Sequence, residues 1–255
     1  MRTQTRPAPG ALALVGSGEY LPVMNETDRY LLATLGIVEQ LSVALLPTAS
    51  GLEPGKPDDW NALGGRHFQQ LGVRNVRATM IVERADGSDA EQLALLLGAD
   101  LYYFSGGDPQ HLIETLRTSP AWETIVAGYH AGAALAGCSA GAMALGGYTL
   151  SPRRMLAGDV SAWRPALGLL PRFVILPHFD RMATFLDQAL FQQILQALPA
   201  DCLLLGIDED TALVRLEAPA SGQDKARWRV MGRQTVSVFD SNSSRIFQVG
   251  DEVLL

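Results

Sequence analysis

Ala136-Gly137-Cys138-Ser139-Ala140-Gly141-Ala142 is the stretch of sequence that decides the fold. It follows an apolar run and places Ser139 in a G-x-S-x-G frame, which predicts a strand, a sharp turn and a helix. The serine of such a nucleophile elbow is exposed at the carboxyl end of its strand. Gly137 and Gly141 are expected where the strand and the helix cross too closely for side chains. The N–H of Ala140 then lies where a tetrahedral oxyanion would form.

Short apolar runs alternate with helical patterns on both sides of the elbow, which predicts an α/β fold with a mostly parallel sheet and helices on both faces. A helix is expected over residues 181–195, with Asp180 as its N-cap, and another after Asp108-Pro109. From residue 212 onward, short strands predict a small antiparallel extension of the same domain. We therefore expect one domain over residues 1–255, with residues 1–10 as a disordered N-terminal segment. The expected strands are 12–15, 43–46, 76–82, 101–104, 135–138, 174–176 and 203–207, followed by 213–215, 227–230, 235–239 and 245–249.

Composition narrows the class of protein. The 255 residues are 47% apolar and 18% charged, which is enough to bury a sizeable core, and the net charge of −7 disfavours binding to nucleic acid or to an anionic membrane. Cys138 and Cys202 lie in apolar runs and are expected to be buried thiols. The sequence has no apolar run of about 20 residues that could span a bilayer. We expect a cytoplasmic protein.

A serine nucleophile needs a base, and the chain has four histidines. His67 and His111 lie in predicted helices among polar neighbours, which disfavours a catalytic role. His130 ends a helix, and interaction with the helix dipole explains a histidine at that position. His178 follows the apolar run 173–176 and emerges at the carboxyl end of a strand, where open α/β sheets bind ligands. His178 is therefore the candidate base, with capping of the next helix as the alternative.

The residues alone leave two candidates for the acid. Asp159 is the only carboxylate between Ser139 and His178 and fits the chain order of α/β-hydrolases. The run Asp208-Glu209-Asp210 follows a strand and offers three carboxylates at its carboxyl end. Triads are recognised by geometry rather than by chain order, so both remain open at this point.

A second oxyanion donor is expected from Phe104-Ser105-Gly106-Gly107-Asp108, where a strand ends in two glycines before a helix. The alternative is an anion-binding loop at the start of that helix. Gly16-Ser17-Gly18-Glu19 raises the same question, but it lacks the third glycine of a dinucleotide fingerprint, which disfavours a nicotinamide cofactor.

Taken together and in order, these motifs resemble the serine peptidase family that contains cyanophycinase and aspartyl dipeptidase (peptidase E). The resemblance extends over about residues 11 to 240. It rests on the segments Gly16-Ser17-Gly18-Glu19, Leu46-Pro47-Thr48-Ala49-Ser50, Phe104-Ser105-Gly106-Gly107-Asp108, Gly137-Cys138-Ser139-Ala140-Gly141-Ala142, Pro177-His178-Phe179-Asp180 and Gly206-Ile207-Asp208-Glu209-Asp210-Thr211-Ala212.

The resemblance implies a three-layer α/β/α fold like that of class I glutamine amidotransferases. It makes Ser139 the nucleophile, His178 the base and Glu209 the acid, with oxyanion donors at the backbone of Gly107 and Ala140. It implies no metal and no organic cofactor. The expected function is that of a serine exopeptidase or dipeptidase that hydrolyses an amide bond next to an aspartyl-like residue through an acyl-enzyme. The alternatives are an esterase or another acyl hydrolase with the same triad, or a non-catalytic member of the fold that binds a ligand.

An acidic substrate calls for a cationic side chain near the serine. Asp108, Arg181 and Arg154 are the candidate substrate-binding residues, with Arg153 beside Arg154. The alternative is that all three arginines lie on the surface. The expected partner is a small peptide or another aspartyl-containing molecule, with no nucleic acid and no membrane, and a homodimer stays open.

Overall fold

A computed structural model describes residues 8–150, 163–185, 188–216, 225–240 and 243–255. These residues form fourteen strands and eight α-helices. The strands are β1 (Leu12–Val15), β2 (Ser42–Leu46), β3 (Asn75–Ala78), β4 (Leu101–Phe104), β5 (Ala134–Cys138), β6 (Gly146–Thr149), β7 (Arg164–Pro165), β8 (Leu170–Pro177), β9 (Leu203–Ile207), β10 (Thr211–Arg215), β11 (Arg227–Gly232), β12 (Thr235–Phe239), β13 (Ser244–Gln248) and β14 (Glu252–Leu254). The helices are α1 (Asn25–Leu35), α2 (Lys56–Gln70), α3 (Ala90–Leu96), α4 (Pro109–Leu116), α5 (Pro120–His130), α6 (Ala140–Leu145), α7 (Phe179–Phe185) and α8 (Gln188–Gln196).

The large sheet has eight strands in the order β14-β11-β10-β1-β5-β4-β2-β3. The five strands from β1 to β3 pair in parallel, and β10, β11 and β14 add to the edge beyond β1 as antiparallel strands. This arrangement confirms the predicted α/β class with a mostly parallel sheet.

A second sheet has six strands in the order β13-β12-β9-β8-β6-β7. Its central strands β6, β8 and β9 are parallel, whereas β7, β12 and β13 pair antiparallel. The division into two sheets was not predicted. The expected C-terminal extension is shared between them, because β10 and β11 join the large sheet while β12 and β13 join the second.

Alternate residues of β1 face different apolar cores, as strand geometry requires. Ala13 and Val15 pack with side chains of α1 and α2, while Leu12 and Leu14 pack with side chains of α4 and α5. The core that contains Leu12 and Leu14 also includes Ile175 of β8 and other inward-facing residues of the second sheet. Helices α7 and α8 cover the outer face of that sheet. Helices therefore cover both faces of the large sheet, and the second sheet completes one of the two cores.

Several predicted boundaries are confirmed and others differ. The strands expected over 12–15, 101–104, 203–207 and 235–239 have these bounds in the structure, whereas the strand expected over 76–82 ends at Ala78. The helix expected over 181–195 begins earlier, at Phe179, so that Asp180 lies in its first turn and does not cap it. It is described as α7 and α8, and residues 186 and 187 between them lie outside the described part of the chain.

Gly10, near the start of the described chain, is hydrogen-bonded to α5 and to the large sheet. The N–H of Gly10 donates to the carbonyl of Tyr129 at 3.0 Å, and its own carbonyl accepts from Arg215 at 2.9 Å. Residues 1–7 of the expected disordered segment lie outside the described residues. No helix in the described ranges is both long and apolar enough to cross a membrane.

Candidate active site

Ser139 lies in a strained turn between β5 and α6. All residues of β5 are buried, and α6 begins directly after the serine, at Ala140. Ser139 has φ 51° and ψ −113°, a backbone conformation that residues other than glycine rarely adopt. Its N–H donates to the carbonyl of Val15 on the neighbouring strand at 2.9 Å, which holds the turn in place. Such strain is typical of a functional position.

Glycines make this turn possible because α6 almost touches β5 and the neighbouring strand β4. A Cβ on Gly137 would lie 2.7 Å from the carbonyl carbon of Gly141, and a Cβ on Gly141 would lie 2.7 Å from the carbonyl oxygen of Phe104. Real Cβ atoms do not approach backbone so closely. The crowding that the sequence predicted at these two glycines is therefore confirmed.

His178 and Glu209 follow adjacent parallel strands of the second sheet and reach the serine from there. In the register of β8 and β9, Pro177 lies beside Ile207, so both chains leave the sheet at the same edge. Nε2 of His178 lies 3.0 Å from Ser139 Oγ, and Nδ1 lies 2.8 Å from Oε1 of Glu209. The structure thus brings the predicted serine, histidine and glutamate into one hydrogen-bonded chain.

Glu209 is held by its backbone as well as by its side chain. Its N–H donates to Oδ1 of Asp180 at 2.9 Å, and its carbonyl accepts from the side chains of Gln234 at 2.9 Å and Thr211 at 3.0 Å. Its second carboxylate oxygen, Oε2, lies 2.8 Å from Nε of Arg181. Both carboxylate oxygens therefore have a fixed partner, and the position of Glu209 does not depend on the histidine alone.

The other two carboxylates of the acidic run have different partners. Oδ2 of Asp208 accepts from the N–H of Thr235 at 3.1 Å and from its hydroxyl at 2.6 Å. Asp210 lies 3.7 Å from Arg233 in an exposed ion pair. Only the middle carboxylate of the three contacts His178. Asp159, the alternative acid, lies outside the described residues.

The turn at Gly106-Gly107 supplies backbone N–H groups beside the serine. Gly107 has φ 144°, and a Cβ there would lie 2.3 Å from the carbonyl oxygen of Ala49. The N–H groups of both residues next to Gly107 already have acceptors: that of Gly106 donates to the side chain of Glu19, and that of Asp108 donates to the carbonyl of Ala49. Ala140 is the first residue of α6, so its N–H has no acceptor within that helix.

Glu19 is a site residue that the sequence analysis did not identify. Its side chain is buried beneath the serine turn: Oε1 accepts from the N–H of Gly106 at 2.9 Å and Oε2 accepts from the thiol of Cys138 at 2.9 Å. Burial, with the charge of Glu19 as a second cause, raises the pKa of the Cys138 thiol well above its ordinary value. As predicted, Cys138 and Cys202 are buried free thiols.

The structure gives two of the expected substrate-binding residues other partners. Asp108 caps α4, with Oδ1 accepting from the N–H groups of Gln110 at 2.8 Å and His111 at 3.0 Å. Arg181 extends along Glu209, although 69% of its side chain remains exposed. Arg153 and Arg154 lie outside the described residues.

Of the other three histidines, the side chains of two have partners within the fold, and His130 lies in the last turn of α5, as the sequence predicted. His67 is buried and lies 2.7 Å from Oδ2 of Asp28, and Nε2 of His111 lies 2.7 Å from the carbonyl oxygen of Val82. Within the described ranges, no group of three or more His, Cys, Asp or Glu side chains is arranged to hold a metal ion.

A pocket of about 190 Å³ opens beside the serine. Ser139 and His178 lie on its wall together with Gly107 and Ala140. The rest of the described wall is apolar and is formed by Pro109, Met143, Leu150, Leu176, Pro177 and Met182. A substrate in contact with the serine hydroxyl would therefore also contact this apolar surface.

Comparison with known sequences finds a matching family and several relatives. The chain matches peptidase family S51 over residues 12–220. It is 31% identical to a cyanophycinase of Synechococcus elongatus over 211 residues, which cover 78% of this chain and 58% of that protein. It is 27% identical to a cyanophycinase of Geminocystis herdmanii over 217 residues, which cover 79% of this chain and 70% of that protein. The chain thus spans less than two thirds of the length of the Synechococcus protein.

Two solved structures have a similar fold. The crystal structure of a peptidase from an acI-B1 Actinobacterium has a TM-score of 0.83 and 30% sequence identity, and the match covers 98% of this chain and 99% of that one. A putative peptidase E protein from Listeria monocytogenes EGD-e has a TM-score of 0.58 at 18% identity, covering 95% of this chain and 100% of that one. The second likeness is one of fold alone.

Proposed function

Since the chain belongs to peptidase family S51, we propose that it is a serine-type peptidase that cleaves an amide bond through an acyl-enzyme. The observation that carries the proposal is the hydrogen-bonded chain from Ser139 Oγ through His178 to Glu209, with distances of 3.0 Å and 2.8 Å. A hydroxyl next to an imidazole whose other nitrogen faces a carboxylate is the arrangement that activates a serine for attack.

In the proposed acylation step, Ser139 Oγ attacks the carbonyl carbon of the scissile bond while its proton passes to Nε2 of His178. The carbonyl oxygen gains the negative charge and accepts hydrogen bonds from the N–H groups of Gly107 and Ala140. The imidazolium then returns its proton to the leaving nitrogen, so that the carbon–nitrogen bond breaks and an ester to Ser139 remains. Water attacks this ester by the same route in reverse and frees the serine.

Glu209 acts on the histidine in this scheme. Its ionised Oε1 accepts the Nδ1–H of His178, which keeps the proton off Nε2 and leaves that nitrogen ready to accept from the serine. The carboxylate also stabilises the imidazolium once it forms. Asp180 and Gln234 position Glu209 through its backbone, and Arg181 positions it through its side chain.

Specificity for an aspartyl-like residue is a finer proposal with narrower support. It rests on the family and on the relatives named cyanophycinase. An acidic residue beside the scissile bond needs a cationic partner. Arg181 has Nε 2.8 Å from Glu209 and a side chain that is 69% exposed, and we assign this role to it.

Labelling with a fluorophosphonate probe, combined with assays on a dipeptide library and on p-nitrophenyl esters, tests the proposed function. The unmodified protein should be labelled at Ser139 and should cleave peptides. Ser139→Ala should abolish both while the circular dichroism spectrum stays unchanged, and the neighbouring variant Cys138→Ser should retain both. Cleavage of esters but of no peptide would support the esterase alternative, and labelling that survives Ser139→Ala would overturn the nucleophile assignment.

A further inference from the structure

Glu19 joins the two segments that carry the proposed oxyanion donors. One of its carboxylate oxygens accepts from the N–H of Gly106 at 2.9 Å, and the other accepts from the thiol of Cys138 at 2.9 Å. Gly106 directly precedes Gly107, and Cys138 directly precedes Ser139. We infer that Glu19 is a positioning residue that keeps the N–H of Gly107 directed at the substrate carbonyl. The inference rests on the proposed function and adds to it a residue that acts through the backbone of others.

The turn at Gly106-Gly107 needs contacts to hold it, because glycine itself does not fix the backbone. Without a Cβ, glycine adopts positive and negative φ about equally readily, so the peptide unit between two glycines is free to rotate. Gly107 has φ 144°, a conformation that other residues rarely adopt. A rotated peptide would present a carbonyl oxygen instead of an N–H to the developing negative charge. The proposed reaction therefore depends on the groups that hold this peptide in place.

Two hydrogen bonds hold the turn, one on each side of Gly107. The N–H of Asp108 donates to the carbonyl of Ala49 at 2.7 Å, and the N–H of Gly106 donates to Glu19. Between them, the N–H of Gly107 has no acceptor within the described residues, so it is available to a substrate. The first bond joins two backbone groups, whereas the second depends on a side chain. Substitution of Glu19 therefore tests the contribution of the second bond.

Burial and packing leave Glu19 little freedom to move. The residue is 8% exposed, and a Cβ on Gly106 would lie 3.0 Å from its Oε1, so the carboxylate fills the space beside the turn. The next residue, Tyr20, has φ 65° and packs against Tyr103, with ring centroids 5.0 Å apart. A residue other than glycine keeps such a φ only where its surroundings impose it. The carboxylate of Glu19 is therefore an acceptor in a fixed position.

The rate constant for labelling of Ser139 by a fluorophosphonate, followed by intact-mass spectrometry, tests the inference, because the phosphoryl oxygen needs the same donors. Glu19→Met keeps the length of the side chain and removes both acceptors, so the rate constant should fall about 10²–10³-fold, as for the loss of one oxyanion donor. In Glu19→Gln the amide oxygen still accepts from Gly106 while the NH₂ group faces the sulfur of Cys138, so the rate constant should stay within about fivefold. Glu26→Met, the same change at an exposed position in α1, should leave it unaltered.

The final extent of labelling separates positioning from a loss of folded protein. A preparation in which part of the protein is misfolded labels to a lower extent at an unchanged rate constant, whereas a misplaced donor slows a reaction that still reaches completion. Glu19→Asp provides a second variant if Glu19→Met does not fold. Its carboxylate is one methylene too short to stay 2.9 Å from the N–H of Gly106, so labelling should slow about tenfold or more.

The labelling experiment has outcomes that contradict the role of Glu19. A rate constant for Glu19→Met within tenfold of that of the unmodified protein would overturn the inference, as would Glu19→Gln as slow as Glu19→Met. If only Glu19→Asp is folded, an unchanged rate constant in that variant would overturn it. Absence of labelling at Ser139 in the unmodified protein would overturn the proposed function, and the inference with it.

Discussion

Replacing Glu209 with Gln is expected to lower kcat about 10⁴-fold. The reason is that the NH₂ group of the new side-chain amide, and not its oxygen, would face His178. One carboxylate oxygen of Glu209 lies 2.8 Å from Nδ1 of His178, and the other lies 2.8 Å from Nε of Arg181. A guanidinium can only donate hydrogen bonds, so Arg181 selects the carbonyl oxygen of the amide. The amide NH₂ group is then left facing Nδ1.

An NH₂ group facing Nδ1 of His178 favours the wrong tautomer of the imidazole. Nδ1 becomes the acceptor, the ring proton moves to Nε2, and Nε2 can no longer take the proton of Ser139. Loss of the correct tautomer in a serine triad reduces kcat by about 10⁴. That factor corresponds to about 5.5 kcal/mol of transition-state stabilisation, far more than the loss of one exposed ion pair would explain.

Arg181 gives this argument an internal control. Arg181→Met alone should reduce kcat by about fivefold or less, because the side chain is 69% exposed and an exposed ion pair contributes ~0–1 kcal/mol. In the double variant with Glu209→Gln, the amide is free to turn its oxygen toward Nδ1. A hydrogen bond to a charged group contributes ~1.5–3 kcal/mol, so the double variant should be about tenfold faster than Glu209→Gln or more.

Initial rates on the dipeptide that the unmodified protein cleaves best, with burst kinetics to separate acylation from deacylation, measure these effects. Circular dichroism checks that each variant is folded. Activity of Glu209→Gln within tenfold of the unmodified protein would refute the role of Glu209. A double variant no faster than Glu209→Gln would refute the argument from the direction of the amide.

Three further outcomes are expected from burial and packing. Burial raises the pKa of Cys138 well above 9, so iodoacetamide should leave activity intact, and inactivation that maps to Cys138 would contradict this. Burial also raises the pKa values of Tyr20 and Tyr103 well above 10, so the free energy of unfolding should fall as pH rises above about 10, where only the unfolded chain releases these protons. Each group contributes up to about 1.4 kcal/mol per pH unit, and urea titrations that show rising stability there would refute this. Gly137→Ala should destabilise the protein by about 1–3 kcal/mol in the same titrations, since its Cβ would lie 2.7 Å from backbone, whereas Gly65→Ala, with open space in α2, should stabilise it by about 0.5–1 kcal/mol; equal effects would contradict the packing argument.

Local sequence patterns predicted the strands whose limits depend on the residues of the strand and its flanking turns. The apolar runs that became β1, β4 and β9 are bounded by turn residues, and their limits match. The division into two sheets depends on which strands pair across long stretches of chain, and an apolar run has no preference that identifies its neighbour. The sequence therefore predicted a mostly parallel sheet with an antiparallel extension, but not that the extension is shared between two sheets.

In the candidate site, too, residues that a local pattern marks were predicted, and residues placed by long-range contacts were not. Ser139 and His178 are recognisable because each follows a buried strand directly. Glu209 lies between two other carboxylates, and only the contacts of its neighbours with Thr235 and Arg233 leave it as the one that faces the histidine. Glu19 was missed because its partners Gly106 and Cys138 are 87 and 119 residues away in the chain. No pattern within one segment indicates such a contact.

The two-sheet architecture has a consequence for the timing of activity during synthesis. Ser139 follows a strand of the large sheet, while His178 and Glu209 follow strands of the second. A growing chain leaves the ribosome amino terminus first, so the serine emerges 39 residues before the histidine, and the glutamate follows 31 residues later. On the roles proposed for them, a growing chain that has emerged only as far as α6 carries a serine hydroxyl of ordinary reactivity. In that scheme the serine is activated only after β8 and β9 have been synthesised and have packed beside β5, so the unfinished chain lacks a complete triad.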